Sequence, residues 1–420
     1  MTVGTLLKSF PQGSISAEKL LDISIGRKRL ERLTERVGAE RVEARELETA
    51  AVEKLTLTEK IAGPPGVKPP TACAVSPDGG RCQKVDQHPD SKTHWFEYKA
   101  AICLELGNLH HANDPSLPEG DPCPEVPSFL LNFEQVETLT REIGQKAAAV
   151  PKASDDGDPV IGDGTNQPHD LEAILAAAKA HLQHESSSPR NLPLSPRVKS
   201  RDVVATLGDC NELSRLLVAR AWNLGMFQAE RKAFIGDGGA WLWTIWEREF
   251  KPFDFVGILD IIHAVTHVFA GAMAGSPSST GWLVYDQWIR WIWSGQAIKV
   301  IAALETRQQE LGIPIHEDGV TSPRRIVDAT LTYLRNQHSR MDYPRYRRQG
   351  LPITSSHIES TIKELNFRIK GSEKFWSDDG GEEILQLKAD TLCDSDPLTG
   401  FWNKRQQTRT GFHACTRSKT

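Results

Sequence analysis

The sequence has few cysteines and no pair of them spaced for metal binding or redox chemistry. Its seven cysteines are scattered singly over 420 residues, without a CxxC motif. This spacing argues against a disulfide framework and a thiolate zinc site, and reduced thiols are typical of the cytosol.

No apolar run is long enough to span a bilayer, and the first residues lack the order of a signal peptide. We therefore expect a cytoplasmic protein with no membrane partner.

The sequence also lacks the strong positive charge of proteins that coat nucleic acid, since its net charge is -5. The distribution is uneven, however. Residues 324–374 carry eleven Lys or Arg against five Asp or Glu, whereas residues 154–170 carry five Asp and no basic residue. A hydrophobic content of 39% and a charged content of 25% are ordinary, and the length suits two or three domains.

Alternating strand and helix patterns predict an α/β fold with a mixed sheet flanked by helices. Residues 14–60 are predicted to form two helices, either a helix-turn-helix or an amphipathic packing arm. A strand is predicted before Pro77, a turn from Pro77 to Gly80 and a returning strand after it, with a third strand at 98–106. Further strands at 232–235 and 255–259 alternate with helices at 211–227 and 240–249, and a helix is expected at 355–369.

The predicted strands and helices divide the chain into seven segments. They are an N-terminal helical region (1–66), three core strands (67–106), a loop-rich insertion with an acidic linker and a helix at 171–184 (107–200), a continued core (201–260), an all-α insertion domain (261–345), C-terminal core helices (346–402) and a flexible tail (403–420).

Two aspartates follow short apolar runs and precede paired glycines. Asp78 and Asp237 both have this setting, which lets the backbone approach a metal closely. Asp-Gly is also ordinary turn chemistry. Asp163 lies in a similar string, but no buried strand precedes it and no apolar helix follows it, so we favour Asp237.

Asp260 ends a predicted strand, and His263 follows it at i+3. His263 and His267 would share a helix face, as in HExxH zinc sites, but the glutamate of that motif is absent. We prefer a hydrogen-bonded Asp260–His263 pair that fixes the junction between strand and helix.

Glu359 falls in the first turn of the predicted helix at 355–369, where the helix dipole favours any carboxylate. A capping role is therefore the simplest alternative to metal binding. Lys363, Arg368 and Lys370 continue the helix and could contact phosphates. Four tryptophans crowd one helix of the all-α block, where a buried core is the simplest explanation and base stacking the alternative.

Several of these motifs together resemble the ISKra-type insertion-sequence transposases, a DDE family of the Mutator-like group with an RNase H-like catalytic domain. The segments that carry the resemblance are VSPDGGRCQ (75–83), THWFEYKAAICL (93–104), FIGDGGAWLW (234–243), ILDIIHAVTHVFAGA (258–272), LTYLRNQHSRM (331–341), LPITSSHIESTIKELNFRIKGSEKFW (351–376), ILQLKADTLC (384–393) and DPLTGFW (396–402).

The resemblance implies that Asp78, Asp237 and Glu359 are the catalytic, metal-binding set, and that Asp260 and His263 form the supporting C/D(2)H signature. It further implies two Mg²⁺ ions, with Mn²⁺ as a substitute, which would promote DNA nicking by water and then attack of the freed 3′-OH on target DNA. The DNA partners would be the terminal inverted repeats and the target, bound by a homodimer or larger assembly at the bacterial nucleoid.

The predicted DNA-backbone contacts are Arg345, Arg347, Arg348, Lys363, Arg368 and Lys370. Family members usually carry more sequence before the equivalent of residue 15, so we expect a truncated DNA-binding part at the N-terminus. Two alternatives stay open: a catalytically idle transposase relic that only binds DNA, and an RNase H-like nuclease without strand transfer.

Overall fold

A computed structural model of the protein describes residues 2–88, 92–107, 120–148 and 196–417. The predicted helix at 171–184 and the predicted non-ligand Asp163 lie outside these ranges. The strands are β1 (Ala72–Lys84), β2 (Trp95–Gly107), β3 (Arg197–Thr206), β4 (Arg231–Gly236), β5 (Val256–Leu259) and β6 (Phe375–Trp376).

The helices, in chain order, are α1 (Thr2–Leu6), α2 (Phe10–Leu21), α3 (Arg27–Glu53), α4 (Leu57–Ala62), α5 (Phe133–Ala148), α6 (Cys210–Asn223), α7 (Ala240–Ile245), α8 (Ile261–Met273), α9 (Ser278–Trp293), α10 (Ala297–Leu311), α11 (Pro323–Gln337), α12 (Tyr343–Arg348), α13 (Ser356–Ile369), α14 (Asp378–Asp390) and α15 (Pro397–Arg417). Within the described ranges, none is long and apolar enough to cross a membrane.

The strands form one mixed sheet in the order β3-β2-β1-β4-β5. β2 pairs antiparallel with both β1 and β3, whereas β4 pairs parallel with both β1 and β5. The short β6 pairs with the far end of β1. The expected mixed sheet flanked by helices is therefore confirmed.

The predicted turn from Pro77 to Gly80 is wrong, because β1 runs straight through it. Asp78 pairs with Ala100 of β2 in the middle of a strand of 13 residues. The register with β4 ends at Val75 and that with β6 begins at Gln83, so between these points β1 has one unpaired edge, a position where proline is tolerated. The chain reverses only after Lys84, and the third strand of the meander is β3, beyond the insertion.

The N-terminal helices belong to the same core. The long helix α3 packs on α14, and buried ion pairs join them: Arg41 Nε lies 2.9 Å from Asp390 Oδ2, and Arg45 Nη1 lies 2.7 Å from Glu382 Oε1. Gly38 allows this approach, since a Cβ there would lie 2.6 Å from Glu383 Cβ. This packing agrees with the predicted packing arm rather than with a separate helix-turn-helix.

The expected run of helices after β5 is present as α8–α12. An additional helix, α5, packs on α8, although it comes from the segment predicted to be loop-rich. The stretch before α5 is tied to this block, because Tyr285 donates a hydrogen bond to Leu130 O (2.9 Å) and Trp293 Nε1 donates to Cys123 O (2.8 Å). Two separate insertions into the sheet therefore build one helical block.

Candidate metal centre

Asp237 begins the loop after β4, at the carboxyl end of a buried parallel strand. Its Oδ1 accepts a hydrogen bond from Gly239 N (2.8 Å), which turns the loop into α7. Gly238 has a φ of 107°, a region that L side chains rarely adopt. A Cβ at Gly238 would also lie 2.7 Å from the Tyr333 ring. Both the backbone conformation and the lack of space for a side chain therefore require glycine at this position.

The helical block holds the backbone of this loop. From α11, Tyr333 donates a hydrogen bond to Asp237 O (2.8 Å), and Gln337 Nε2 donates to Gly238 O (3.2 Å). The Tyr333 ring in turn stacks on His267 of α8, with centroids 3.7 Å apart. The insertion therefore fixes the position of a candidate catalytic carboxylate.

Asp260 lies at the end of the neighbouring strand β5 and is fully buried. Its backbone N–H donates to Gly236 O (2.8 Å), which places it beside β4. Its Oδ1 accepts from Ile262 N (2.8 Å) and caps α8, while its Oδ2 accepts from the Ser355 hydroxyl and from His263 Nδ1 (3.1 Å). Both carboxylate oxygens of Asp260 thus accept hydrogen bonds from neighbouring groups. The predicted hydrogen bond between Asp260 and His263 is present at the junction of strand and helix.

Glu359 reaches this junction from the first turn of α13. The potential ligand atoms of Asp260, His263 and Glu359 all lie within 4.8 Å of one another. His267 is outside this group and stacks on Tyr333 instead, so the described part of the chain gives no support to a zinc site of the two histidines.

Asp78 lies in the middle of β1 and interacts electrostatically with this site. Burial, then the negative charge of Asp237, and more weakly that of Glu359, raise the pKa of Asp78 to about 7. Two interactions lower the pKa of Asp78: the hydrogen bond that Gly79 N–H donates to Asp78 Oδ1 (2.7 Å) and the charge of His263. The charges of Asp237 and Glu359 therefore both act on Asp78, while the ligand atoms that lie within 4.8 Å of one another in the described part of the chain are those of Asp260, His263 and Glu359.

The two histidines of α8 differ in charge. Burial alone would lower the pKa of His263, but its hydrogen bond to Asp260 and the charges of Asp260, Asp237 and Glu359 outweigh burial and raise it to about 9. Burial and the neighbouring His263 lower the pKa of His267 to about 4. At neutral pH the cluster therefore contains one imidazolium among several carboxylates.

This donor set fits a hard divalent cation. Carboxylate oxygens are the ligands that Mg²⁺ and Mn²⁺ prefer, and Mg²⁺ usually binds to few protein groups and keeps several waters. A cation among Asp78, Asp237 and Glu359 would offset the negative charges that, after burial, raise the pKa of Asp78.

The predicted DNA contacts divide into two groups. Arg345 and Lys370 are exposed, and Arg348 and Lys363 are half-buried. Arg347 is buried, with its Nε 2.9 Å from Asp121 Oδ1 and its guanidinium 4.2 Å from the Trp293 ring centroid.

Arg368 is also buried. Its Nε donates to Gly4 O at 3.0 Å, and its guanidinium lies between Phe10 and Trp376. Burial lowers the pKa of Arg368 to about 10. The predicted phosphate-contacting role of Arg347 and Arg368 is therefore corrected to internal packing, because neither side chain reaches the surface.

The tryptophan-rich helix is α9, as predicted. Trp288 and Trp293 are buried, while Trp282 and Trp291 are half-buried and pack against the same core. Because Trp288 and Trp293 are buried, their role is structural.

Three residues that support the site had not been predicted from the sequence: Tyr333, Ser355 and Tyr98. Tyr98 donates a hydrogen bond to Asn366 Oδ1 (2.9 Å) and so ties β2 to the helix that carries Glu359. Its ring lies over Gly80, where a Cβ would overlap it. The paired glycines after Asp78 are the sequence signal for this close contact, although the same pair is also typical of a turn.

Comparison with known proteins gives no match, whether to a protein family, to a curated protein or to a solved structure. The resemblance to ISKra-type transposases therefore depends on the sequence motifs.

Proposed function

We propose that this chain is a DDE-type transposase of a bacterial insertion sequence, of the ISKra type, and that Asp78, Asp237 and Glu359 are its catalytic carboxylates. The observation that carries the proposal is that the charges of Asp237, after β4, and of Glu359, at the start of α13, both act on Asp78 in the middle of β1. After burial, these two charges raise the pKa of Asp78 to about 7, and carboxylates supplied by separate elements are expected of a two-metal site for phosphoryl transfer.

The strand order supports an RNase H-like core. Three antiparallel strands precede two parallel ones, and the order is β3-β2-β1-β4-β5. In this proposal the all-α block is an insertion between β5 and α13, and it serves the catalytic core by holding the Asp237 loop through Tyr333 and Gln337.

The reaction has two steps. Water attacks a phosphodiester at the transposon end, which breaks the P–O3′ bond and leaves a 3′-OH and a 5′-phosphate. The freed 3′-OH then attacks a target phosphodiester, forming a new P–O bond and releasing a 3′-OH of the target. When bound, two Mg²⁺ or Mn²⁺ ions stabilise the attacking and leaving oxygens of each in-line displacement.

The protein's own groups position these reactants. Asp78, Asp237 and Glu359 would hold the cations, and Asp260 orients His263 by the hydrogen bond to its Nδ1, which leaves only Nε2 to face the cluster. Arg345, Arg348, Lys363 and Lys370 would contact the DNA backbone. Because strand transfer joins two DNA ends, we expect a homodimer or larger complex assembled on DNA at the nucleoid.

The test is cleavage and joining of a DNA that carries the terminal inverted repeats flanking the gene. Wild-type protein with Mg²⁺ or Mn²⁺ should nick the repeat end and join it to target DNA. Asp237→Asn and Glu359→Gln should each abolish both steps while leaving the thermal unfolding midpoint of the protein nearly unchanged. Cleavage that persists in both variants would refute the assignment of the catalytic residues.

Two other outcomes would replace the proposal with a different function. Cleavage without joining would indicate a nuclease without strand transfer. Binding of the repeats without cleavage, in either metal, would indicate a transposase relic. A genome in which no inverted repeats flank the gene would already contradict an active insertion-sequence transposase.

A further inference from the structure

Helix α13 carries a row of polar side chains that leads away from the metal centre. Glu359, Lys363, Asn366 and Lys370 follow one another at spacings of four, three and four residues, so they share one face of the helix. Asn366 accepts a hydrogen bond from Tyr98 of β2, which places this face along the flank where α13 meets the β1–β2 hairpin.

The far end of this row has an aromatic platform. The Lys370 ammonium lies 5.7 Å from the ring centroid of Trp95, at the start of β2. Trp95 pairs with Gln83 of β1, and Gln83 pairs on its other side with Phe375 of β6. Cross-strand partners point to the same face of a sheet, so Trp95 and Phe375 flank Gln83, and Phe375 is 45% exposed.

This end of the row carries an exposed cation. Lys370 is exposed, whereas Lys374 packs on the end of α13, where its Nζ donates hydrogen bonds to Phe367 O (3.3 Å) and Arg368 O (2.9 Å). From Glu359 to Lys370 the helix rises about 16 Å, at 1.5 Å per residue. A basic row that ends in aromatic rings at this distance from the carboxylates matches the chemistry of a single nucleic-acid strand, which needs cations for phosphates and flat rings for unpaired bases.

We propose that the track formed by Lys363, Lys370, Trp95 and Phe375 binds single-stranded DNA extending from the metal centre, with a base stacked on Trp95 and phosphates at the two lysines. This inference rests on the proposed function, since it assigns a path to the DNA strand on which that site would act. A double helix would not fit the platform, because its bases are already stacked on each other.

The test measures binding of a fluorescein-labelled 12-mer of deoxythymidine by fluorescence anisotropy, in EDTA and at several salt concentrations. Trp95→Ala should weaken binding about 5- to 150-fold, the equivalent of one lost stacking contact, and should leave the salt dependence unchanged. Lys370→Gln should reduce the slope of log K against log salt by about 0.7, the value for one phosphate contact on a single strand.

A matched pair elsewhere on the surface provides the control. Lys299 lies 5.9 Å from the Trp291 ring on the helical block, and Trp291→Ala and Lys299→Gln should leave both quantities unchanged. Trp95→Phe, which keeps an aromatic ring, should recover most of the affinity, so a folding defect in Trp95→Ala would not hide the result.

Two outcomes would overturn the inference. One is equal loss of affinity in the Trp95 and Trp291 variants. The other is binding of a 12-base-pair duplex in preference to the single strand, with no effect of Trp95→Phe or Trp95→Ala. Because the assay contains no divalent metal, a failure of the catalytic proposal would leave these results unchanged, and the two proposals are tested separately.

Discussion

Replacing Gly80 with alanine would place a methyl group where the Tyr98 ring now lies. Tyr98 is fully buried, and its hydroxyl is fixed by the hydrogen bond to Asn366, so the ring cannot rotate away without giving up that bond. We expect a loss of stability of about 2–4 kcal/mol, the sum of about 1–3 for overpacking and about 1 for the hydrogen bond. The unfolding midpoint in a thermal melt should fall accordingly.

The neighbouring glycine supplies a matched control on the opposite face of the same strand. A Cβ at Gly79 would meet the end of the Glu97 side chain, which is exposed and can rotate into solvent. Gly79→Ala should therefore change the free energy of unfolding by no more than about 0.5 kcal/mol.

A double-mutant cycle identifies the cause of the loss. If the Tyr98 ring is responsible, Gly80→Ala should cost less than about 0.5 kcal/mol in the Tyr98→Ala background, because the two residues are coupled by direct contact. Equal melting midpoints for Gly79→Ala and Gly80→Ala, or an undiminished cost in the Tyr98→Ala background, would refute the reasoning.

Three further results are expected. Burial and two nearby carboxylates raise the pKa of Glu383 to about 7, so the stability that protonated Glu383 contributes is lost as the pH rises from 4.5 to 7. Glu383→Gln should therefore melt at a higher temperature than the wild type at pH 8 but not at pH 4. An equal difference at both pH values would contradict this. Tyr333→Phe should weaken Mn²⁺ binding, because the Asp237 backbone loses its hydrogen-bond donor. Binding is measured from the electron paramagnetic resonance signal of free Mn²⁺, and an unchanged affinity would show that the donor is dispensable. Arg347→Gln should lower stability by on the order of 3 kcal/mol by breaking a largely buried ion pair, measured by thermal melting, whereas Arg345→Gln should not.

The parts of the site predicted from the sequence are those set by local pattern. The apolar runs before Asp237 and Asp260 correspond to β4 and β5, and the predicted helix at 355–369 is α13. Hydrophobic periodicity and capping chemistry act within a few residues, so these elements could be recognised without knowledge of their partners.

The parts that could not be predicted depend on distant contacts. The Pro77–Gly80 stretch has the composition of a turn, but pairing with β2 and the need for room beside Tyr98 override that preference. The burial of Arg347 depends on Asp121, 226 residues earlier in the chain, and no local signal connects them. Helix α5 was missed because its surroundings are loop-rich, although Asn132 accepts a hydrogen bond from Gln135 N in capping position.

The most direct test of the central claim is metal-dependent strand cleavage by wild-type protein, Asp237→Asn and Glu359→Gln, on one DNA substrate carrying the terminal repeats. The account predicts cleavage by the wild type with Mg²⁺ or Mn²⁺, none in EDTA, and none by either variant despite wild-type melting behaviour. Cleavage by both variants at the wild-type rate would contradict a catalytic site built on these carboxylates.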